Sequence, residues 1–235
     1  MIVLGVDTAG KTAGVALMRD DRLLYEVYLD GGLTHSETLL PMIDTALRTC
    51  GLTCADIGLY GVNAGPGSFT GLRIGLAAVK GLAFPGSVPC APVSTLEALA
   101  ASHVGTGTVL CALDARRGQV YAAAFDLATH ARLLEDEARA AASLEDFVKS
   151  CKKPLFFVGD GAYLCYNMYS EVEGVLPMPP ALRGGRAVGV ALAARRMADA
   201  GLAVSPEALL PDYHRLSQAE RERAERLAAQ TEKSE

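Results

Sequence analysis

Three apolar, β-rich runs open the chain one after another, and they narrow the folds open to it. Residues 2–7 (IVLGVD), 13–18 (AGVALM) and 23–29 (LLYEVYL) are separated by short polar or small-residue stretches, with Arg19-Asp20-Asp21-Arg22 as a turn between the last two. The pattern predicts a three-stranded meander before any helix. Only then does a helical period begin. Thr34 and Glu37 have the T-x-x-E spacing of a capping box, and Leu39, Leu40, Ile43, Ala46 and Leu47 make one apolar stripe. Pro41 falls early enough to be tolerated, and Gly51 is a natural stop.

Residues 57–63 read as a further strand. Gly65-Pro66-Gly67-Ser68-Phe69-Thr70-Gly71 is a loop leading into a helix over 72–83. Gly71, Gly75, Ala78 and Gly81 fall on one face of that helix. Each glycine costs about 1 kcal/mol of helix propensity relative to alanine, a cost usually met where another backbone comes close. That backbone belongs either to this chain or to a partner. Residues 88–93 form a short strand, and Ser94 caps a helix running to Ala101. A second β-rich segment covers 108–114, 120–126 and 130–134. Helices follow near 143–151, 187–200 and 217–229, and the Pro- and Gly-rich stretch 171–186 reads as loop. Both halves begin with strand–turn–strand units, which permits a duplicated α/β architecture.

One short pattern invites a different reading. Gly5-Val6-Asp7-Thr8-Ala9-Gly10-Lys11-Thr12 matches G-x-x-x-x-G-K-[ST] letter for letter. A phosphate loop needs a helix straight after it, with its N-terminus turned to the phosphates. Here Gly5 and Val6 lie inside the opening strand, and a second strand follows Thr12. The residues instead read as a hairpin with Asp7 at its mouth. Asp7, Thr8 and Lys11 are then candidates for a nucleotide site. Asp7 serves equally well as a cap that binds the turn's own amides.

The remaining bulk properties exclude several classes. With 50% hydrophobic and 21% charged residues the chain is a packed globular protein, and its formal net charge of -5 argues against stand-alone nucleic-acid binding. Asp7 interrupts the N-terminus too early for a secretory signal, and no uncharged apolar stretch reaches the length of a membrane span. Six cysteines form no C-x-x-C pair, which reads as reduced thiols in a cytoplasmic protein.

Taken in order, Asp7-Thr8-Ala9, His35-Ser36 with Leu40-Pro41, GPGSFTGLRIG at 65–75, Val93-Ser94-Thr95-Leu96, Asp114-Ala115-Arg116 with Val120-Tyr121, and Pro211-Asp212-Tyr213-His214-Arg215 followed by Ala219-Glu220 resemble the TsaB (YeaZ) family. The resemblance implies an α/β, actin-like and Hsp70-like fold of two lobes. The first spans 1–104, the second and smaller spans 105–204, and a C-terminal helix near 205–229 packs back on the first. It also implies a non-catalytic subunit that pairs with the transferase TsaD, is acted on with it by the ATPase TsaE, meets tRNA only through that complex, and pairs with itself when alone. ATP or ADP could lodge at the interface with TsaD. The alternative is a stand-alone ATP-dependent enzyme of the same superfamily.

The same resemblance assigns a partner surface to His35, Leu39, Ile43, Gly67, Phe69, Thr70, Gly71, Leu72, Arg73, Gly75 and Leu76. Arg73 is a candidate polar anchor there because Arg is enriched at interfaces, unless it is a surface Arg with no role. Arg116 is its outlying member, reaching a phosphate or carboxylate on TsaD, unless it pairs locally with Asp114. Gly75→Leu is expected to weaken pairing without unfolding the chain. No residue is assigned a catalytic or metal-binding role. The catalytic paralogue carries H-x-x-x-H where this chain has Thr95 and Leu99, and neither side chain supplies an imidazole.

Overall fold

A computed structural model describes residues 1–213. The helix expected over 217–229 and the tail residues from His214 onward lie outside them. The three opening runs form β1 (Ile2–Asp7), β2 (Ala13–Arg19) and β3 (Arg22–Leu29), paired antiparallel. The strand that follows Gly5–Asp7 confirms the hairpin and removes the helix a phosphate loop requires. β4 (Leu59–Gly65) and β5 (Cys90–Ser94) add parallel strands, giving the order β3-β2-β1-β4-β5.

The second sheet repeats this plan. β6 (Thr108–Arg116), β7 (Gln119–Asp126) and β8 (Arg132–Ala140) form the meander, and β9 (Leu155–Val158) and β10 (Val175–Leu176) are its parallel strands. The order β8-β7-β6-β9-β10 is the first lobe's order replayed in chain sequence. This is the duplicated two-lobed arrangement that the resemblance implies.

β1 is buried on both faces, and the period of two divides its side chains between two cores. Leu4 and Val6 join α1 (His35–Thr49) and α2 (Phe69–Ala83) through Leu39, Ile43, Ala46, Leu72, Leu76 and Val79. Val3 meets α6 (Ala187–Asp199) on the other side, through Val190, Ala191 and Ala194. In the second lobe, α4 (Glu145–Ser150) and α5 (Ala162–Tyr169) cover one face of the sheet.

α3 (Thr95–Ala101) joins the lobes. Ala98 and Ala101 sit in the α6 core, while Leu96, Leu99 and Ala100 pack on Val109, Cys111, Ala123 and Phe125 of the second sheet. α6 crosses α3 so closely that a Cβ on Gly189 would collide with the Ala98 carbonyl. At the rim of this junction the Arg132 guanidinium lies 4.7 Å over Phe125, pairs with Asp136, and reaches Glu97 at 3.3 Å. Glu97 also meets Arg196 at 3.6 Å.

Three expectations change. α6 packs on the first sheet, so the second lobe's sheet and helices end before residue 187. The chain then stays on the first lobe: Val204 bridges Cys90, and Leu209 is fully buried in the first-lobe core. Thr34 does precede α1, but its side chain makes no cap hydrogen bond; Ser36 Oγ donates to it instead. The stretch 171–186 is not all loop, since it contains β10 and a short 3-10 turn at Pro180–Leu182.

The glycine face of α2 is also divided. Gly71 and Gly75 press on the β1–β2 turn, where a Cβ on either would run into Thr8; Thr8 Oγ1 donates to the Gly71 carbonyl at 2.8 Å. Gly81 meets nothing within 4 Å. Gly75→Leu is therefore expected to lower the unfolding free energy by about 3 kcal/mol or more, rather than to leave the fold intact. Gly81→Ala should raise it by up to ~1 kcal/mol. Urea denaturation of the two variants measures the contrast.

Candidate functional site

Two places gather the candidate residues. The first is the outer surface of α1 and α2. Ser68 caps α2, accepting from the Gly71 amide at 3.2 Å, and this fixes the helix start at Phe69. Of the residues assigned to a partner surface, Leu39, Ile43, Gly71, Leu72, Gly75 and Leu76 are buried. They form the inner faces of their helices and serve this chain's own core, because a helix has one apolar stripe and the sheet takes it. His35 is half-buried and also turns inward: its Nε2 donates to the Gly10 carbonyl at 3.0 Å.

What faces outward is different. Thr70, Arg73, Ala77 and Gly81 are exposed along α2, and Gly67 and Phe69 are half-buried at its start. Leu40 on α1 and Phe84 just past α2 are 53% and 61% exposed. The sequence concealed this second face because its residues are small and not periodic enough to read as a stripe. Over the start of α2 runs the chain's last described segment. The Asp212 amide donates to the Ala64 carbonyl at 2.8 Å, and Tyr213 stacks on Phe69 with centroids 4.0 Å apart and planes within 8°.

The second place is the cleft between lobes, at the carboxyl ends of β1 and β4. Asp7 is 6% exposed, and its Oδ1 accepts from the Ala9 amide at 3.1 Å and from Asn63 Nδ2 at 2.8 Å. Its Oδ2 lies against Gly185, where even a Cβ would stand only 2.5 Å away. Glu26 fixes that loop by pairing with Arg186 and accepting from the Val188 amide at 3.1 Å, at the start of α6. Burial pushes the Asp7 carboxyl above the usual carboxylate range, against the pull of Ala9, Asn63 and His35. Thr8 spends its hydroxyl on Gly71, while Lys11 is exposed.

Arg116 lies on the second lobe and is not brought to α1 and α2. It sits in the β6–β7 hairpin at φ 64°, with its amide donating to Asp114 Oδ1 at 2.7 Å. Its link with Asp114 thus runs through the backbone. The Asp114 amide in turn donates to Asp160 Oδ1 at 2.8 Å. Asn63, Gly185 and Tyr213 went unassigned in the sequence; nothing local marks the first two, since only the fold brings them to Asp7.

Thr95 and Leu99 are buried in α3, with Leu99 in the interlobe core. Among the described residues no group of three His, Cys, Asp or Glu side chains could hold a metal ion.

A family model described as TsaD, tRNA N6-adenosine threonylcarbamoyltransferase, matches residues 32–222. A protein of Bacillus subtilis (strain 168) named tRNA threonylcarbamoyladenosine biosynthesis protein TsaB is 31% identical over 226 residues, which is 94% of this chain and 96% of that one. The chain belongs to the TsaB branch of the TsaD family. YeaZ from Pseudomonas aeruginosa superposes with a TM-score of 0.72 at 26% identity, covering 90% of this chain and 99% of its own. Component A of the Acidaminococcus fermentans (R)-2-hydroxyglutaryl-CoA dehydratase is 14% identical with a TM-score of 0.51, covering 85% and 99%. That likeness is one of fold alone, and it fits the actin-like duplication. Within the GPGSFTGLRIG run, Gly71 and Gly75 are the residues that seat α2 on the Thr8 turn.

The raised Asp7 titration carries a sign. The folded chain holds a proton there more tightly than the unfolded chain, so the stability that proton adds is present in acid and is lost as pH rises through the folded-state value. Asp7→Asn keeps an acceptor for Ala9 and Asn63 and removes the buried charge. It is expected to flatten this part of the stability–pH profile and to raise the neutral-pH melting temperature by about 2–4 °C, as calorimetry across acid to neutral pH will show.

Proposed function

We propose that this chain is the non-catalytic subunit that binds and activates a TsaD transferase in tRNA threonylcarbamoyladenosine biosynthesis. Its TsaB relatives carry that pathway in their names. One observation supports the subunit reading above others: α2 commits one face to the fold and leaves a second, small-residue face exposed. The inner one is committed to the fold through Gly71, Gly75, Leu72 and Leu76. The outer one, with Thr70, Ala77 and Gly81 beside Leu40 and Phe84, offers a second helix close approach to backbone. A surface of that kind suits pairing between related subunits, and the same face would serve self-pairing when the chain is alone.

The absence of imidazoles at Thr95 and Leu99 supports a non-catalytic role, because the resemblance places the paralogue's metal ligands there. The rival, a stand-alone ATP-dependent enzyme, needs Asp7 open to a metal and phosphates, and Gly185 closes one side of that carboxylate. In this proposal ATP or ADP lodges between the partners, TsaE acts on the pair, and tRNA is met through the complex in the cytoplasm.

Co-elution with TsaD from the same organism in size-exclusion chromatography tests the reading. A one-to-one species is expected with the native chain, with or without added ATP. Ala77→Arg, at an exposed position, should abolish it while the melting temperature stays within about 2 °C. Separate peaks under both conditions contradict the proposal.

A further inference from the structure

Arg73 is the one charged side chain on the outer face of α2 before Lys80, and it is held in an unusual way. Its guanidinium lies 4.5 Å over the Phe69 ring and 5.8 Å from the Tyr213 ring, which themselves stack. Its Nε donates to Tyr213 Oη at 2.9 Å. An exposed arginine ordinarily samples many rotamers, and ordering one costs side-chain entropy. Here that ordering is already done by two aromatic planes and a hydroxyl. One of them arrives from the far end of the chain, some 140 residues on.

Among the described residues Arg73 enters no ion pair, although twelve are formed elsewhere. Tying Nε to Tyr213 leaves the two Nη groups as a fixed fork. A planar fork of N–H donors matches a carboxylate, which it can grip with two parallel hydrogen bonds. Arg and Tyr ordered among packed aromatic rings are also the residue types in which binding energy concentrates at protein interfaces.

We propose that the Phe69–Arg73–Tyr213 stack is a preorganised anchor for a carboxylate side chain on the partner subunit. This rests on the reading of α2 as the partner face and names the chemistry that face recognises. The occupant is a protein carboxylate rather than a nucleic-acid phosphate. The chain has a net charge of -5 and α1 beside it exposes Glu37, while Asp44 is paired with Arg48; that field opposes a polyanion far more than a single acidic side chain seated in the fork. Tyr213 acts through Arg73, as a positioning residue. This gives a purpose to the long return of residues 200–213 across the first lobe, anchored by Leu209 and by Lys80 Nζ donating to the Glu207 carbonyl at 3.3 Å.

Isothermal titration with TsaD from the same organism tests this, using the full chain and its Arg73→Met, Arg73→Lys and Tyr213→Phe variants, each first checked for an unchanged melting temperature. Arg73→Met is expected to weaken binding at least about fivefold and to reduce its salt dependence. Arg73→Lys should fail to restore native affinity, because an ammonium cannot stack or grip a carboxylate at two points. Tyr213→Phe keeps the ring and loses only the tether to Nε, so it should weaken binding less than Arg73→Met. Loss of less than fivefold in Arg73→Met, or full affinity in Arg73→Lys, overturns the anchor. If the native chain itself does not bind TsaD, the partner reading fails instead, so the two failures are distinct.

Discussion

Everything outward in this molecule depends on how tightly α2 is pressed onto the turn between β1 and β2. Gly71 and Gly75 have no side chain because Thr8 occupies the space, and the Thr8 hydroxyl closes the contact on the Gly71 carbonyl. The contact fixes the rotation of α2 about its own axis. Once Gly71, Leu72, Gly75, Leu76 and Val79 face the sheet, Arg73, Ala77 and Gly81 must face solvent. It also governs the cleft, since the same turn holds Asp7 and Ala9. A rotation that freed the glycines for a partner would strip the turn of its support.

The second organising contact is α3, placed between α6 and the second sheet. Enzymes of duplicated α/β folds commonly use the cleft between lobes as a ligand site. In this chain one helix contributes Ala98 and Ala101 to one lobe's core and Leu96, Leu99 and Ala100 to the other's. Arg132, Glu97 and Arg196 tie the rim. The lobes share packed surface rather than a bare hinge. A subunit of fixed shape needs little conformational entropy to present a docking face.

Much of the first lobe was legible in the sequence because its signals are long and periodic. The meander, the Ser94 cap and the α1 stripe read as they stand, except that Leu40 turns outward and α2 starts at Phe69 rather than at residue 72. The inner and outer faces of α2 did not separate, since Gly71, Gly75 and Gly81 are identical letters and only tertiary contact tells a packed glycine from an open one. β9 escaped notice because LFFV is four uniformly apolar residues, too short for a period to show. α5 (AYLCYNMY) has aromatic residues on several sides and no clear stripe. The placing of α6 on the first lobe was invisible for another reason: chain order assigns it to the second, and only burial against Val3 and Gly5 reverses that. Of the site, the motif residues were visible. Their partners Asn63 and Gly185 were not, nor was the contact that Tyr213 of the C-terminal motif makes with Phe69 and Arg73, because each is distant in sequence from the residue it touches.

Hydrogen–deuterium exchange of the chain alone and saturated with TsaD tests the central claim, that the outer faces of α1 and α2 are the working surface and the cleft is not. The account predicts new protection in peptides covering 35–49 and 69–84, with exchange at 7–12, 114–118 and 159–161 unchanged. Protection confined to those cleft segments, with α1 and α2 exchanging as in the free chain, would contradict it.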